Sequence, residues 1–392
     1  MSEFYYDPYD FEIDDDPFPY YQRLRDEAPV YLNEKHGFYV LSRYEDVRTA
    51  LRDWTDFSSV NGLTLDNNPL PPSIITMDPP AHLRQRSLVR AVFTGRRVAQ
   101  LEDAIRAFTR TFLDGVPSQG ADFVEDFTVK LPVTVICQLL GVPASDVKQM
   151  WEWTDVLTDQ LEIGVDGTPA QQARVFQAAV ELAQYFTEMV EDRRKNPTGD
   201  LVSALTEAQG DGDQLTHEEL LGFLVILLIA GNDTTNLLMG NMAFCLTEHP
   251  DQREMLLADS SLVSSAIEET LRYDSSIHVL ARTLPKAITV HGHDLDPSRK
   301  VALLLAAANR DERRFPHPDT YDIRRTPNSH MGFGHGVHQC VGAALARLEI
   351  RVAFEEFLDR VADFEVDAEN GTRARQANFH GFRNLPVTLK MR

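Results

Sequence analysis

Four groups of residues have types and spacings that carry chemistry. The first surrounds Cys340 in His330–Arg351, H-M-G-F-G-H-G-V-H-Q-C-V-G-A-A-L-A-R-L-E-I-R, where a glycine-rich loop runs into an alanine- and leucine-rich helical pattern. Gly332, Gly334, Gly336 and Gly342 permit backbone conformations and close approaches that a β-carbon blocks. A cysteine at a helix N-terminus meets unpaired amides and the positive end of the macrodipole, which favour an anion by roughly 0.3–1 kcal/mol. Thiolate is the form of cysteine that binds metals. Two readings fit these residues: a small buried cysteine at a tight turn, or the axial sulfur ligand of a flat haem cofactor. The second group is A-G-N-D-T-T-N, Ala230–Asn236, inside an apolar helical pattern. Polar groups there are expensive unless satisfied or used. Gly231 costs about 1 kcal/mol against alanine in a helix interior, and a back-bonding threonine next to it can open the helix and admit water. The third is His82 and Arg86, i and i+4 on one helix face, which reads as a solvated basic face or as a carboxylate clamp. The fourth is Glu269 and Arg272, an i, i+3 pair of a kind that on a surface contributes under ~0.5 kcal/mol.

The elements that must position these groups follow from periodicity. The spacing predicts helices over Pro17–Ala28, Arg43–Arg52, a start near Ala81, Arg97–Leu113, Val124–Leu140, Ala144–Gln160, Pro169–Lys195, Asp200–Ala208, Thr216–His249, Leu262–Tyr273 and Cys340–Arg360. Thr216 with Glu219 makes a capping signal at the start of the longest one. Val30–Leu32 with Phe38–Leu41 reads as a hairpin, and Ala281–Leu284, Ile288–His291, Val301–Leu305, Phe364–Val366 and Pro386–Lys390 read as strands. Ser58–Ser73 is a long loop, and long loops are often functional. The expected fold class is mainly α with a minor β part.

Composition excludes some classes. A formal net charge of −22 argues against general nucleic-acid binding. The cysteines, Cys137, Cys245 and Cys340, are odd in number and far apart, which gives no disulfide framework and fits a reducing compartment. The acidic, aromatic N-terminus has no signal-peptide pattern, and the apolar run Phe223–Ala230 is too short to span a membrane. A soluble cytoplasmic protein is expected. Arg84–Arg110 inverts the charge balance, with seven arginines against Glu102 and Asp103, and suggests an acidic partner.

The spacing F-G-x-G-x-H-x-C-x-G, Phe333–Gly342, resembles the cysteine-ligand loop of the cytochrome P450 family of haem-thiolate monooxygenases in its soluble bacterial form. Ala230–Thr235 is similar to that family's oxygen-activation segment, and Glu269 with Arg272 to its E-x-x-R pair. The motifs fall in the family's order along nearly the whole chain. The resemblance implies one cytochrome P450 domain over residues 1–392, with β-rich portions near 30–41, 281–305 and 362–391. It implies a triangular prism with haem b between the long central helix and the helix after the cysteine. Cys340 would be the axial iron ligand, and His82, Arg86, Arg282 and His338 would hold the propionates, with Ala230, Gly231, Phe333, Gly334 and Gly342 against the cofactor. Asp233 and Thr234 would be the catalytic acid–alcohol pair. Glu269 and Arg272 would be a buried structural pair with Arg310 or Arg314 as third member.

The same resemblance implies O2 as co-substrate and electrons from NAD(P)H through a ferredoxin reductase and an acidic iron–sulfur ferredoxin. The ferredoxin would dock on Arg84, Arg106, Arg110, Arg347 and Arg351, and the enzyme would be a monomer. A mainly apolar organic substrate is expected beneath Leu63, Leu65, Leu70, Ile74, Ile75, Ile226, Ala230, Val279 and Phe379, with Asp66 the one acid of that loop. Gly164–Thr168 would belong to a mobile cover over this pocket. A haem-binding sensor or carrier accounts for Cys340 and the propionate residues but not for Asp233 and Thr234. An isomerase or dehydratase of the family also leaves that pair without work.

Overall fold

The computed structural model describes residues 4–65, 73–117, 119–163, 168–208 and 214–392. The expected Leu70 and Asp66 of the pocket loop, and Gly164–Asp166 and Gly167 of the expected cover, lie outside these residues. The architecture is mostly helical with small sheets, as the periodicity predicts.

The helix His217–Glu248 runs through the middle of the molecule. Its N-terminus closes as predicted: Thr216 Oγ1 accepts from the Glu219 amide, and the Glu219 carboxylate accepts from the Thr216 amide at 2.8 Å. Its leucines pack against Lys130–Leu140 and Val263–Tyr273 in the largest hydrophobic cluster. Where the run Phe223–Ala230 alone is too short to span a membrane, the whole helix is long and apolar enough by length and composition, with an 18-residue window of mean hydropathy 1.5 of which 56% is buried in the protein. The expected opening at Gly231 does not occur. Thr234 Oγ1 donates to the Ala230 carbonyl at 2.9 Å and the helix continues unbroken.

Other boundaries shift for local reasons. The pattern from Arg97 divides into Gly95–Ala99 and Glu102–Asp114, because Leu101 turns the chain between them. Lys130–Leu140 is preceded by a wide turn, Phe123–Thr128, in which the Val129 amide reaches back to the Val124 carbonyl. The strand at Val301 is Lys300–Leu304, and the chain then turns into a short helix, Leu305–Asn309.

The main sheet has four strands in the order Val30–Asn33, Phe38–Leu41, Lys300–Leu304, Val279–Thr283. Phe38–Leu41 pairs parallel with Lys300–Leu304, Tyr39 opposite Val301, and the other pairs are antiparallel. Both central strands are buried on two faces, which explains their unbroken apolar character. A three-stranded sheet joins Ala121–Asp122, Pro386–Met391 and Val361–Val366. The helix Ala343–Arg360 crosses beneath the long helix, and the cysteine loop lies between them.

Candidate active site

Between the long helix and the cysteine loop lies a cavity with about 1250 Å3 of atom-free space, its mouth included. Cys340, Gly342 and Phe333 form its floor, and Ala230, Gly231 and Thr234 form the opposite wall. The cysteine loop is held there by close backbone packing. A β-carbon on Gly332 would sit 2.7 Å from the Leu271 carbonyl oxygen, and one on Gly336, at φ +74°, 2.5 Å from that of Leu51. Neither backbone oxygen can move aside, so glycine is required at both. Gly334 instead faces open space, with no protein atom within 4 Å of a β-carbon built there. The Cys340 amide donates to the Phe333 carbonyl at 2.9 Å, which closes the loop.

The Cys340 sulfur is exposed to the cavity. Burial among protein atoms pushes its thiol up. The Gly342 amide, the Arg86 and Arg347 guanidiniums and the Ala343 amide pull it down. These are donors and charges that stabilise a thiolate.

At one side of the floor, basic side chains gather. His338 lines the cavity, and His82 lies against it with ring centroids 4.1 Å apart. Both nitrogens of His82 and Nε2 of His338 are buried with no hydrogen-bond partner among the described residues. Burial and the neighbouring Arg86 pull His82 down to about 4; burial, His82, Arg282 and Arg86 pull His338 to about 3. Arg282 is buried and, among the described residues, donates only to its neighbour's carbonyl, Ala281, at 2.8 Å. Burial pulls it down to about 10. Arg86 donates to the Gln339 carbonyl. Asp78, the nearest acid, is occupied by Ser58 Oγ at 2.5 Å and the Ser59 amide at 2.9 Å. A buried guanidinium without a counter-ion and buried ring nitrogens without partners are costly, so the arrangement suits a ligand that brings carboxylates. A cysteine floor, a glycine-lined flat space and basic groups at its edge fit the haem macrocycle and its two propionates.

Thr234 faces the cavity, while Asp233 is buried behind the wall, 3.5 Å from the Arg383 guanidinium and 3.2 Å from the Asn232 amide nitrogen. Glu269 and Arg272 are both 0% exposed and pair at 2.8 Å. The third member is Arg325, 3.1 Å from Glu269, with Asn328 donating to the same carboxylate at 3.1 Å. Neither Arg310 nor Arg314 takes that place: Arg310 is held between the Phe18 and Tyr273 rings, and Arg314 lies over Tyr44. Arg325 and Asn328 come from the segment that leads into the cysteine loop, so the buried pair anchors that loop to Val263–Tyr273.

Of the expected pocket residues, Leu63, Ile74, Ile75, Ile226 and Ala230 line the cavity. Leu65 and Val279 do not. They pack with Tyr6, Tyr21 and Leu304 behind the four-stranded sheet. Phe379 opens onto a small separate cleft beside Tyr6 and Ile13. In each case strand alternation or loop direction turns the side chain to the far face. The expected partner patch is also corrected. Arg84 pairs with Glu219 at 2.6 Å, Arg347 with Glu268 at 2.6 Å, Arg110 with Glu356 at 2.7 Å, and Arg106 and Arg351 with Glu102 and Glu355. Each of these arginines thus has an acidic partner, and Arg106, Arg110 and Arg351 tie Glu102–Asp114 to Ala343–Arg360. Among the described residues, Arg90 and Arg96 keep exposed guanidiniums without an acidic partner.

Two site residues were missed. Arg383 pairs with Asp233 across the fold, which no local pattern signals. Glu349 lines the cavity floor, 1% exposed, and burial pushes its carboxyl well above the carboxylate range. Its signal was present: an acid within the apolar stripe Leu345, Leu348, Val352.

Residues 26–391 match the family described as Cytochrome P450. The chain is 37% identical to Cytochrome P450 107B1 of Saccharopolyspora erythraea, over 94% of this chain and 93% of that one. It is 36% identical to a methyl-branched lipid omega-hydroxylase of Mycobacterium tuberculosis, over 90% of this chain and 84% of that one. The crystal structure of CYP109E1 from Bacillus megaterium in complex with testosterone is similar at TM-score 0.86 and 33% identity, over 95% of this chain and 99% of that one.

Proposed function

Since the chain belongs to the cytochrome P450 family and is a monooxygenase of that family, we propose that it inserts one oxygen atom of O2 into a C–H or C=C bond of a small, mainly apolar molecule. The observation that carries this reading is the juxtaposition of Cys340, the unpartnered basic groups and the Asp233–Thr234 pair around one apolar cavity. Haem bound there supplies the activation of oxygen. Cys340 holds the iron through sulfur; Arg282, His82, Arg86 and His338 hold the propionates; Phe333, Gly334, Gly342, Ala230 and Gly231 leave room for the macrocycle. Asp233 takes protons from the outer side of the long helix and Thr234 Oγ1 passes them into the cavity. The roof of Leu63, Ile74 and Ile226 excludes water and binds the substrate through apolar area alone, which discriminates weakly, by about 1–3 kcal/mol per methylene.

Lipid-like and steroid-like molecules are the proposed substrate class, in keeping with the apolar roof and with the lipid and steroid named for two relatives. Electrons come from NAD(P)H through a ferredoxin reductase and an acidic ferredoxin. Arg90 and Arg96 offer that partner unpaired charge. The 392 residues act as one domain in the cytoplasm, in keeping with three unpaired cysteines and with the packing of the long apolar helix into the core.

The test is the absorption spectrum of the reduced protein with and without carbon monoxide, followed by substrate-induced spin-state shifts with branched fatty acids and steroids. A strongly red-shifted Soret band and saturable shifts are expected. A band at the position of histidine or neutral-thiol ligation would overturn the ligand assignment, and shifts only with charged or strongly polar compounds would overturn the substrate class.

A further inference from the structure

Asp274, His278 and His380 meet in the core on the far side of the cavity wall, where the proposed reaction has no use for them. They are 3%, 3% and 2% exposed. Each offers one ligand atom, and the three atoms lie within 4.8 Å of one another. Asp274 Oδ1 is 3.4 Å from His278 Nε2 and 3.6 Å from His380 Nε2. Those spacings are close to the edge of a tetrahedron with bonds of ~2.0–2.1 Å, about 3.3–3.4 Å. Asp274 Oδ1 and His278 Nε2 have no hydrogen-bond partner among the described residues, an expensive state for buried polar atoms.

We propose that Asp274, His278 and His380 form a second metal site, for a divalent transition ion of zinc type, separate from the haem. An open pocket lined by Asp274, His380, the exposed acids Asp16 and Glu248 and the cations Arg310 and Arg373 gives an entry path. Two adjustments accompany binding. The imidazoles are stacked at 4.2 Å and 15°, so one ring must tilt for both lone pairs to converge. The Arg373 guanidinium, 3.0 Å from His380 Nε2, must swing into the open pocket that it already lines. Arg373 is thus a competing cation at the site. The ion would staple Val263–Tyr273, the strand from Val279 and the C-terminal loop. The amide of Asn241 on the long helix already donates to the carbonyls of Asp274 and His380, at 3.1 and 3.0 Å.

The experiment is zinc titration of the haem-loaded protein by calorimetry, with zinc per chain counted by mass spectrometry after desalting and the haem spectrum recorded as a check of folding. Wild type is expected to retain one zinc. His278→Gln should weaken binding ~100-fold, at least the loss seen for outer partners of metal ligands. Arg373→Gln should tighten it about 10-fold by removing the competing charge. Wild type retaining no zinc overturns the proposal. So does equal retention by wild type and a folded His278→Gln protein, which would place the zinc on surface histidines, or weaker binding by Arg373→Gln. If His278→Gln does not fold, the wild-type count and the direction of the Arg373→Gln change decide.

Discussion

At the scale of single residues, charge and its satisfaction govern the site. Cys340 is aimed by its loop and stabilised by amides, so replacement by serine changes the ligand and leaves the cavity. Cys340→Ser is expected to lose the red-shifted carbon monoxide band while still incorporating haem; a retained band in the variant would refute thiolate ligation. Thr234 is the hydroxyl facing the cavity, and Asp233 stands behind it held by Arg383. Thr234→Ala should therefore keep consuming reductant but divert it to peroxide, read as the ratio of peroxide to hydroxylated product. An unchanged ratio would remove Thr234 from the proton path. Arg282 is a buried cation with no anion. Arg282→Met should make the haem-free protein more stable and haem dissociation faster, an opposite pair of effects that simple damage to the fold would not produce.

At the scale of elements, the loop that aims the sulfur is fixed from two sides, by Glu269 with Arg272, Arg325 and Asn328, and by the Leu271 and Leu51 backbones against Gly332 and Gly336. Glu269→Gln leaves guanidiniums buried without their carboxylate and should cost about 3–5 kcal/mol in urea denaturation. A loss below 1 kcal/mol would show that the pair is dispensable. The elements themselves were legible in the sequence, because apolar period and capping are local: Thr216 with Glu219, the stripe around Leu345 and the unbroken apolar run at Phe38 all speak for themselves. What crosses the fold was not. Nothing near Arg325 says that it meets Glu269, nothing near Arg106 that Glu355 and Glu356 wait for it, and nothing in Val279 that its strand turns it from the cavity. The Cys340, Asp233 and Glu269 groups were readable since each motif carries its chemistry within a few residues. Leu65 and Phe379 were misread since pocket membership depends on which face of a distant sheet a side chain meets.

At the scale of the whole molecule, the unpaired histidines make stability depend on both pH and cofactor. His82 and His338 are depressed in the folded haem-free protein to about 4 and about 3, against roughly 6.5 unfolded. Their contribution is fully present above pH ~6.5 and is lost as pH falls toward those folded values, by up to about 1.4 kcal/mol per pH unit for each histidine. The haem-free protein should thus lose thermal midpoint steeply between pH 6.5 and 4, and the haem-loaded protein less, because propionates accept the charge. Equal slopes for the two forms would refute the assignment of these residues to the propionates. A different consequence follows from how the cavity is put together. Its floor is locked by buried ions and by glycines that admit no substitute, whereas Leu63, Ile74 and Ile226 overhead share none of those bonds. Inheritance can therefore treat the two separately. A lineage is free to redraw the ceiling one aliphatic side chain at a time, acquiring new diets while the engine below stays the same.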